Sequence, residues 1–397
     1  MSFPMSMIGD VCEIIRGVTF GRAEGESEYF SGGIPIIRAG SIQKQLELDR
    51  DLIWVSNQKV RDIQKIRKND ILMCMSSGSS ELVGKTAISE LDWDGSFGAF
   101  CALLRPITSR CVPKYLYYVL NSSVFREWTL NSSGSNIKNI RVSELSDFLI
   151  PLPSLEVQTR IANILEKIDE VRNKRIRTIK MVDDFLQSVF IEQFGDPSTN
   201  KKNFPIGTIR DLVDAVNYGT SAKASGKKGD FPILRMGNIT YQGGWDFSDL
   251  KYIELTKAEE EKYLVYKGDL LFNRTNSKEL VGKTAVYDNN KPMAFAGYLI
   301  RLRTNSLGNN YFISGYLNSS HGKKTLTNMC KSIVGMANIN AQELQDIKIM
   351  IPPIGLQNNY EKIVKAARKK IAKLQKSERY LDAIFKSLSQ KAFSGQL

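Results

Sequence analysis

The octapeptide ELVGKTAI, beginning at Glu81, returns almost unchanged as ELVGKTAV beginning at Glu279. An offset of about 198 residues also aligns IGDVCEII from Ile8 with IGTIRDLV from Ile206, and IPIIRAGSI from Ile34 with FPILRMGNI from Phe231. KNDILMCM from Lys68 aligns likewise with KGDLLFNR from Lys267. Solenoid repeats run to about 20–50 residues, so a period this long marks a duplicated domain. Any fold assigned to one half must serve for the other.

Each half ends in a long apolar periodicity introduced by prolines. Pro151 and Pro153 hold the backbone extended, Ser154 can accept a bond from a first-turn N–H, and Glu156 suits the positive end of a helix dipole. Val157, Ile161, Ile164, Ile168 and Val171 recur at steps of three and four. The stripe slips by five to Ile176 and continues through Ile179, Val182, Leu186 and Val189. About 40 residues at 1.5 Å each predict a rod of roughly 60 Å, closed by Gly195 and Pro197. After Ile351-Pro352-Pro353 a second stripe runs through Leu356, Tyr360, Ile363, Ala367, Leu374, Leu381, Ile384 and Leu388, with Ile371 beside the expected slot at Lys370. The tails DDFLQSVFIEQFGD and LDAIFKSLSQKAFSGQL echo each other, matching Ser188 to Ser387 and Phe194 to Phe393. The rods are expected to pack antiparallel, with Ile161, Ile168, Ile179 and Leu186 against Ile363, Leu374, Leu381 and Leu388.

The expected organisation is a globular domain over 1–153, a helix over 154–196, a second domain over 197–353 and a second helix over 354–397. Short runs at Ile34–Ile37, Asp70–Met75 and Phe97–Leu104 predict strands between Gly and Ser clusters. One helix is predicted after Pro113 (KYLYYVLNSSVFREWTL) and another from Tyr311, sharing Leu-Asn-Ser-Ser at 120–123 and 317–320. A glycine-containing loop, Gly134 to Ile140 or Gly335 to Ile339, then leads to the strand before the prolines.

With 397 residues, 42% hydrophobic and 24% charged, the chain is globular in composition. It holds no apolar run near the roughly 18 residues a membrane span needs, and MSFPMSMIGD lacks signal-peptide order. A cytoplasmic protein without a membrane partner is expected. Five scattered cysteines and a single histidine, His321, argue against a zinc site or a disulfide framework. The net charge of +13 lies wholly in the second half. Residues 1–195 balance to zero, 196–354 carry +6 and 355–397 carry +7. Such an excess points to a polyanion, most often nucleic acid.

Catalytic signatures are lacking. The repeated Gly-Lys-Thr, at 84–86 and 282–284, is not a phosphate loop, because Ser79 and Ser277 stand where that loop needs its first glycine and TAISELDW alternates like a strand. A glycine turn entering a strand is expected, with Lys85 and Lys283 free for a DNA phosphate. His321 occurs in one half only, and no Asn/Asp-Pro-Pro-aromatic tetrad of amino methyltransferases is present, since Ile351 precedes and Ile354 follows the proline pair. No chemistry of its own is expected of this chain. Side chains suited to reading bases cluster instead at matching places: Arg38 and Ser41 opposite Arg235 and Asn238, and Ser76, Ser77, Ser79 and Ser80 opposite Asn273, Arg274, Thr275, Asn276 and Ser277.

Two diverged units, each ending in a proline motif, a glutamine and a long helix, resemble the specificity subunit of type I restriction-modification systems. IPLPSLEVQTRIANIL at 150–165 carries the likeness closely, IPPIGLQNNYEKIV at 351–364 more loosely because of Gly355, and the ending SLSQKAFSGQL fits as well. The resemblance implies an α+β fold: two mixed target recognition domains separated by two long helices packed as an antiparallel coiled coil with pseudo-twofold symmetry. It implies a non-catalytic subunit that reads a split sequence in double-stranded DNA. Two adenine-N6 methyltransferase subunits and restriction/translocase subunits would be its partners, and S-adenosylmethionine, ATP and magnesium would belong to them. The competing reading is a coiled-coil scaffold binding RNA or protein without reading DNA.

Overall fold

The computed structural model describes residues 3–43, 45–79, 81–131, 138–226, 228–277, 280–333 and 336–397. Ser80, Gly134, Glu279 and Gly335 lie outside them. Two compact units result: unit 1 is Met1–Lys174 with Ser377–Leu397, and unit 2 is Arg175–Lys376.

The apolar runs form the same antiparallel sheet twice. In unit 1 its strand order is Cys12–Arg16, Cys101–Pro106, Ile71–Cys74, Thr86–Ile88; in unit 2 it is Val213–Tyr218, Leu299–Thr304, Leu270–Asn273, Thr284–Val286. Ile71–Cys74 and Leu270–Asn273 are central and buried at every position, which is why these runs do not alternate. A second small sheet pairs Gly33–Ile37 with Ser96–Phe97 in parallel, matched by Phe231–Leu234 with Met293–Phe295. The predicted strand Phe97–Leu104 is therefore two strands, broken where the Cys101 N–H donates to the Gly98 carbonyl at 2.9 Å.

The single helix expected after Pro113 is likewise two, Pro113–Leu120 and Ser123–Asn131, matched by Asn310–Asn318 and Ser320–Met329. The shared Asn-Ser-Ser makes the break. The Asn121 amide donates to Thr86 Oγ1 at 2.8 Å, and Asn318 to the Thr284 carbonyl at 2.8 Å. Ser122 and Ser319 then cap the following helix through the N–H groups of Phe125 and Gly322. The threonines belong to the Gly-Lys-Thr repeats, so both recurring motifs meet at one joint. Gly84 and Gly282 turn the chain there at φ +78° and +80°; a Cβ would lie 2.5 Å from Thr129 and 2.6 Å from Leu326.

The proline motifs start helices of 40 residues, Leu155–Phe194 and Ile354–Phe393. Their buried glutamines anchor them. Gln158 Oε1 accepts the Val112 N–H at 2.8 Å, and its amide donates to the carbonyls of Pro153 (2.8 Å) and Arg110 (3.2 Å). Gln357 repeats this with the Asn309 N–H (2.9 Å) and the carbonyls of Pro352 (2.8 Å) and Leu307 (3.0 Å).

In each unit the start of one helix lies beside the end of the other, so the two run antiparallel. Unit 1 packs Ile161, Ala162 and Leu165 with Phe385, Leu388, Ala392 and Phe393; unit 2 packs Leu186, Val189, Phe190 and Phe194 with Tyr360, Ile363, Val364 and Ala367. The echoed tails thereby find equivalent partners: Phe393 meets Tyr115 and Phe194 meets Phe312, with ring centroids 5.8 and 4.8 Å apart. Asp382 pairs with Arg172 at 2.6 Å, and its counterpart Asp183 with Arg368 at 3.1 Å. Burial raises the Asp183 carboxyl above its usual range, against the pull of Arg368. Three residues of the expected stripes, Leu356, Ile384 and Val171, face solvent, and at the slot of Lys370, which is exposed, the neighbouring Ile371 is buried instead.

Candidate nucleic-acid interface

The central strand of each sheet begins at a carboxylate fork. Asp70 accepts the Arg67 N–H (2.7 Å) and two bonds from the Arg105 guanidinium (2.9 and 2.7 Å). Asp269 does the same with the Tyr266 N–H (2.9 Å) and Arg303 (2.7 and 3.0 Å). These bonds raise the pKa of both arginines. Asn69 and Gly268, at φ +72° and +100°, supply the turn that lets each aspartate fold back. The recurrent Lys-Asn-Asp and Lys-Gly-Asp are thus structural.

At the far end of that strand three loops are bonded together. The Met75 N–H donates to the Phe100 carbonyl at 2.9 Å, and the Met75 carbonyl accepts the Ile140 N–H at 2.9 Å. In unit 2 the Arg274 N–H donates to the Tyr298 carbonyl at 3.0 Å, and the Arg274 carbonyl accepts the Ile339 N–H at 2.9 Å. The turn at 98–101 is joined to the end of Gly33–Ile37 by Gly98 N–H to Ile37 O at 3.0 Å, and its counterpart by Ala296 N–H to Leu234 O at 2.9 Å. The backbone frame is repeated while the side chains it displays differ.

The candidate residues fall on this frame in two groups. Arg38, Ser41, Arg235 and Asn238 hold the next loop to its base. Arg38 Nη2 reaches the Asp51 carbonyl (3.4 Å) and Arg235 Nη2 the carbonyl and carboxylate of Asp249 (2.9 and 2.7 Å). Buried Ser41 donates to the Arg50 carbonyl (3.4 Å), and buried Asn238 to the carbonyls of Asp246 and Asp249 (2.9 and 3.2 Å). The lysines of the Gly-Lys-Thr turns are not free, contrary to expectation. Lys85 Nζ donates to Gln43 Oε1 and Lys283 Nζ to the Met236 carbonyl, both at 2.9 Å, and burial lowers the Lys283 pKa.

In the second group Ser79 is exposed, Ser76, Ser77, Arg274 and Asn276 are half-buried, and Thr275 is buried. Ser76–Ser77 pairs with Lys138–Asn139 as a short strand, Ser77 Oγ accepts the Ser79 N–H (3.1 Å), and Ser79 is exposed. Thr275–Asn276 pairs with Asn338 and Ala337; Thr275 bonds Asn338 Oδ1 at 3.4 Å, and Asn276 Oδ1 accepts the Ser277 N–H at 2.9 Å. The Arg274 guanidinium lies 4.9 Å from the centre of the Tyr218 ring. Arg235, Asn238, Arg274 and Thr275 line one cavity of about 810 Å³ together with Lys223 and Tyr298. Sequence reasoning missed Tyr218, Asp249 and Tyr298; Tyr218 has no matching residue type in the other half, whereas Asp249 stands opposite Asp51 and Tyr298 opposite Phe100.

The family described as "Type I restriction modification DNA specificity domain" matches twice, over residues 3–181 and 201–379. The EcoKI type I restriction enzyme specificity subunit of Escherichia coli K12 is 27% identical over 413 residues, covering 98% of this chain and 88% of that protein. The StySPI specificity subunit of Salmonella potsdam is 30% identical over 426 residues with the same coverage. Among solved structures, the S subunit of a type I restriction-modification system from M. genitalium aligns with TM-score 0.57 and 18% identity, over 98% of this chain and 96% of that one. A chain from a study of type I R-M complex assembly gives 0.51 and 17%, over 100% and 98%. With both halves matched, the chain belongs to the type I restriction-modification DNA specificity domain family.

Proposed function

We propose that this chain is the DNA-reading subunit of a type I restriction-modification complex, non-catalytic itself, with residues 1–153 and 197–353 each reading one part of a split duplex sequence. The observation that carries the reading is the twice-built frame of three loops: equivalent backbone bonds hold the segment of Ser76, Ser77 and Ser79 in one unit and that of Arg274, Thr275 and Asn276 in the other. A constant scaffold with altered donors and acceptors is what two readers of different base sequences require. Arg38, Ser41, Arg235 and Asn238 act by shaping the adjoining loop, and Lys85 and Lys283 reach phosphates only if they leave their present acceptors. The partners are two adenine-N6 methyltransferase subunits and restriction/translocase subunits, which carry S-adenosylmethionine, ATP and magnesium. Among the described residues no helix is long and apolar enough to cross a membrane.

Selection of random duplexes by the full chain, with and without its methyltransferase subunits, tests this. The expected result is a sequence with two fixed blocks and an unread spacer. Replacing Thr275 and Asn276 by Ser should alter one block alone. Enrichment of no bipartite sequence would leave the scaffold reading in its place.

A further inference from the structure

Phe100 and Tyr298 are 70% and 50% exposed and occupy the same position in the two halves, FGAF at 97–100 and FAGY at 295–298. Scattered exposed aromatics are ordinary, but other exposed rings are not repeated: Tyr218 and Tyr266 stand opposite Arg16 and Arg67. The turn beneath each ring is fixed on every side. Cys101 N–H donates to Gly98 O (2.9 Å) and Leu299 N–H to Ala296 O (2.8 Å), closing the turn. Gly17 N–H donates to Cys101 O (3.3 Å) and Gly219 N–H to Leu299 O (3.2 Å), holding it from the neighbouring strand. The carbonyl of the aromatic residue itself accepts the N–H of Met75 or Arg274, where the displayed loop begins. Each ring is therefore exposed on a turn whose backbone is hydrogen-bonded on several sides, next to the side chains proposed to meet base edges, and Tyr298 shares the cavity of Arg274 and Thr275.

We propose that Phe100 and Tyr298 are wedges that stack on a base step of the bound duplex, one in each half of the target. The inference rests on the DNA-reading role. A ring with a pinned backbone loses only its two side-chain torsions on contact, and an apolar ring pressed between bases partly unstacks them. The steps met by the wedges should be flexible pyrimidine–purine steps, where opening costs least.

The test uses the full chain and its selected duplex with 2-aminopurine placed at successive positions. Fluorescence should rise at one position in each half-site. Phe100→Ala should abolish one rise and Tyr298→Ala the other, each with about tenfold weaker binding and an unchanged melting temperature. Phe100→Trp should keep the affinity and change its emission on adding duplex, whereas Phe100→Leu should behave as the alanine variant. Alanine variants that bind as the parent does with both rises intact would overturn the wedges and leave DNA reading standing. Variants that keep the duplex but fail to retain methyltransferase subunits would also overturn them, making the rings a protein contact. A parent chain that selects no duplex would instead overturn the DNA-reading role, and the wedges with it.

Discussion

Replacing Gln357 by Leu keeps the volume of a fully buried side chain and removes all its polar atoms. The Asn309 N–H and the carbonyls of Leu307 and Pro352 then lose an acceptor or donor inside the protein. A buried polar group left without a partner costs about 1–3 kcal/mol, so three such groups set a loss of at least about 3 kcal/mol. That corresponds to roughly 150-fold in an opening equilibrium. Hydrogen exchange read by mass spectrometry over 307–313 should speed up by this factor in the variant, while the equivalent segment 110–116 stays protected. Gln158→Leu should show the reverse, because its three bonds lie wholly in unit 1. Gln357→Glu adds a sign: a carboxylate still accepts from Asn309 but cannot donate to the two carbonyls, so acidification that protonates it should restore part of the protection. An acceleration under about fivefold, or equal acceleration in both segments, would refute the view that each glutamine locks its own helix to its own unit.

The two helix-to-helix ion pairs should differ in strength. A double-mutant cycle of Arg368→Met and Asp183→Asn, whose side chains are 23% and 16% exposed, should give a coupling of about 1–3 kcal/mol. For Arg172 and Asp382, at 23% and 43%, about 0.2–1 kcal/mol is expected, and the opposite order would contradict the burial argument. Gly84→Ala and Gly282→Ala should each cost more than about 2 kcal/mol in urea unfolding, from left-handed backbone and the clash together. Gly78→Ala, which meets no atom within 4 Å, should be neutral. Lys323 Nζ donates to the Tyr241 carbonyl and sits over its ring, and burial pushes its pKa from 10.5 down to about 8. The unfolded state then binds more protons between those values, so stability gained from this group rises with pH across about 8–10.5 and the penalty is complete below 8. The stability difference between the parent and Lys323→Met should move in the parent's favour over that window; a pH-independent difference would refute the shift.

The frame of this protein was legible where the same residues had to solve the same problem twice. The proline pair, the following glutamine and the spacing of Ile161 and Leu186 stated helix starts and buried faces without any tertiary knowledge. The stripe misled at its edges. Leu356 keeps the period but lies in the first turn, beyond the packed face, and Ile371 is reached by a shift of one residue because straight-helix phase drifts along 40 residues. Roles were harder to read than positions. Arg38 and Arg235 were found by their repetition, yet their acceptors lie 13 and 14 residues onward in loops of different sequence, a distance no local pattern encodes. Lys85 and Lys283 looked available because their acceptors, Gln43 and Met236, come from a separate strand-to-loop segment.

Because the helix ends are exchanged, the two units become complete at different times during synthesis. Unit 2 is one continuous stretch, 175–376, whereas the unit 1 core waits for Phe385, Leu388, Ala392 and Phe393. At roughly 5–20 residues per second a ribosome needs on the order of ten to forty seconds to reach them after residue 174. Throughout that interval the surfaces of Tyr115 and Tyr118 that face Phe393 and Phe385 are bare on the nascent chain. The amino-terminal unit, first to emerge, is therefore the last to close, and in that window it presents chaperones and proteases with an unfinished core.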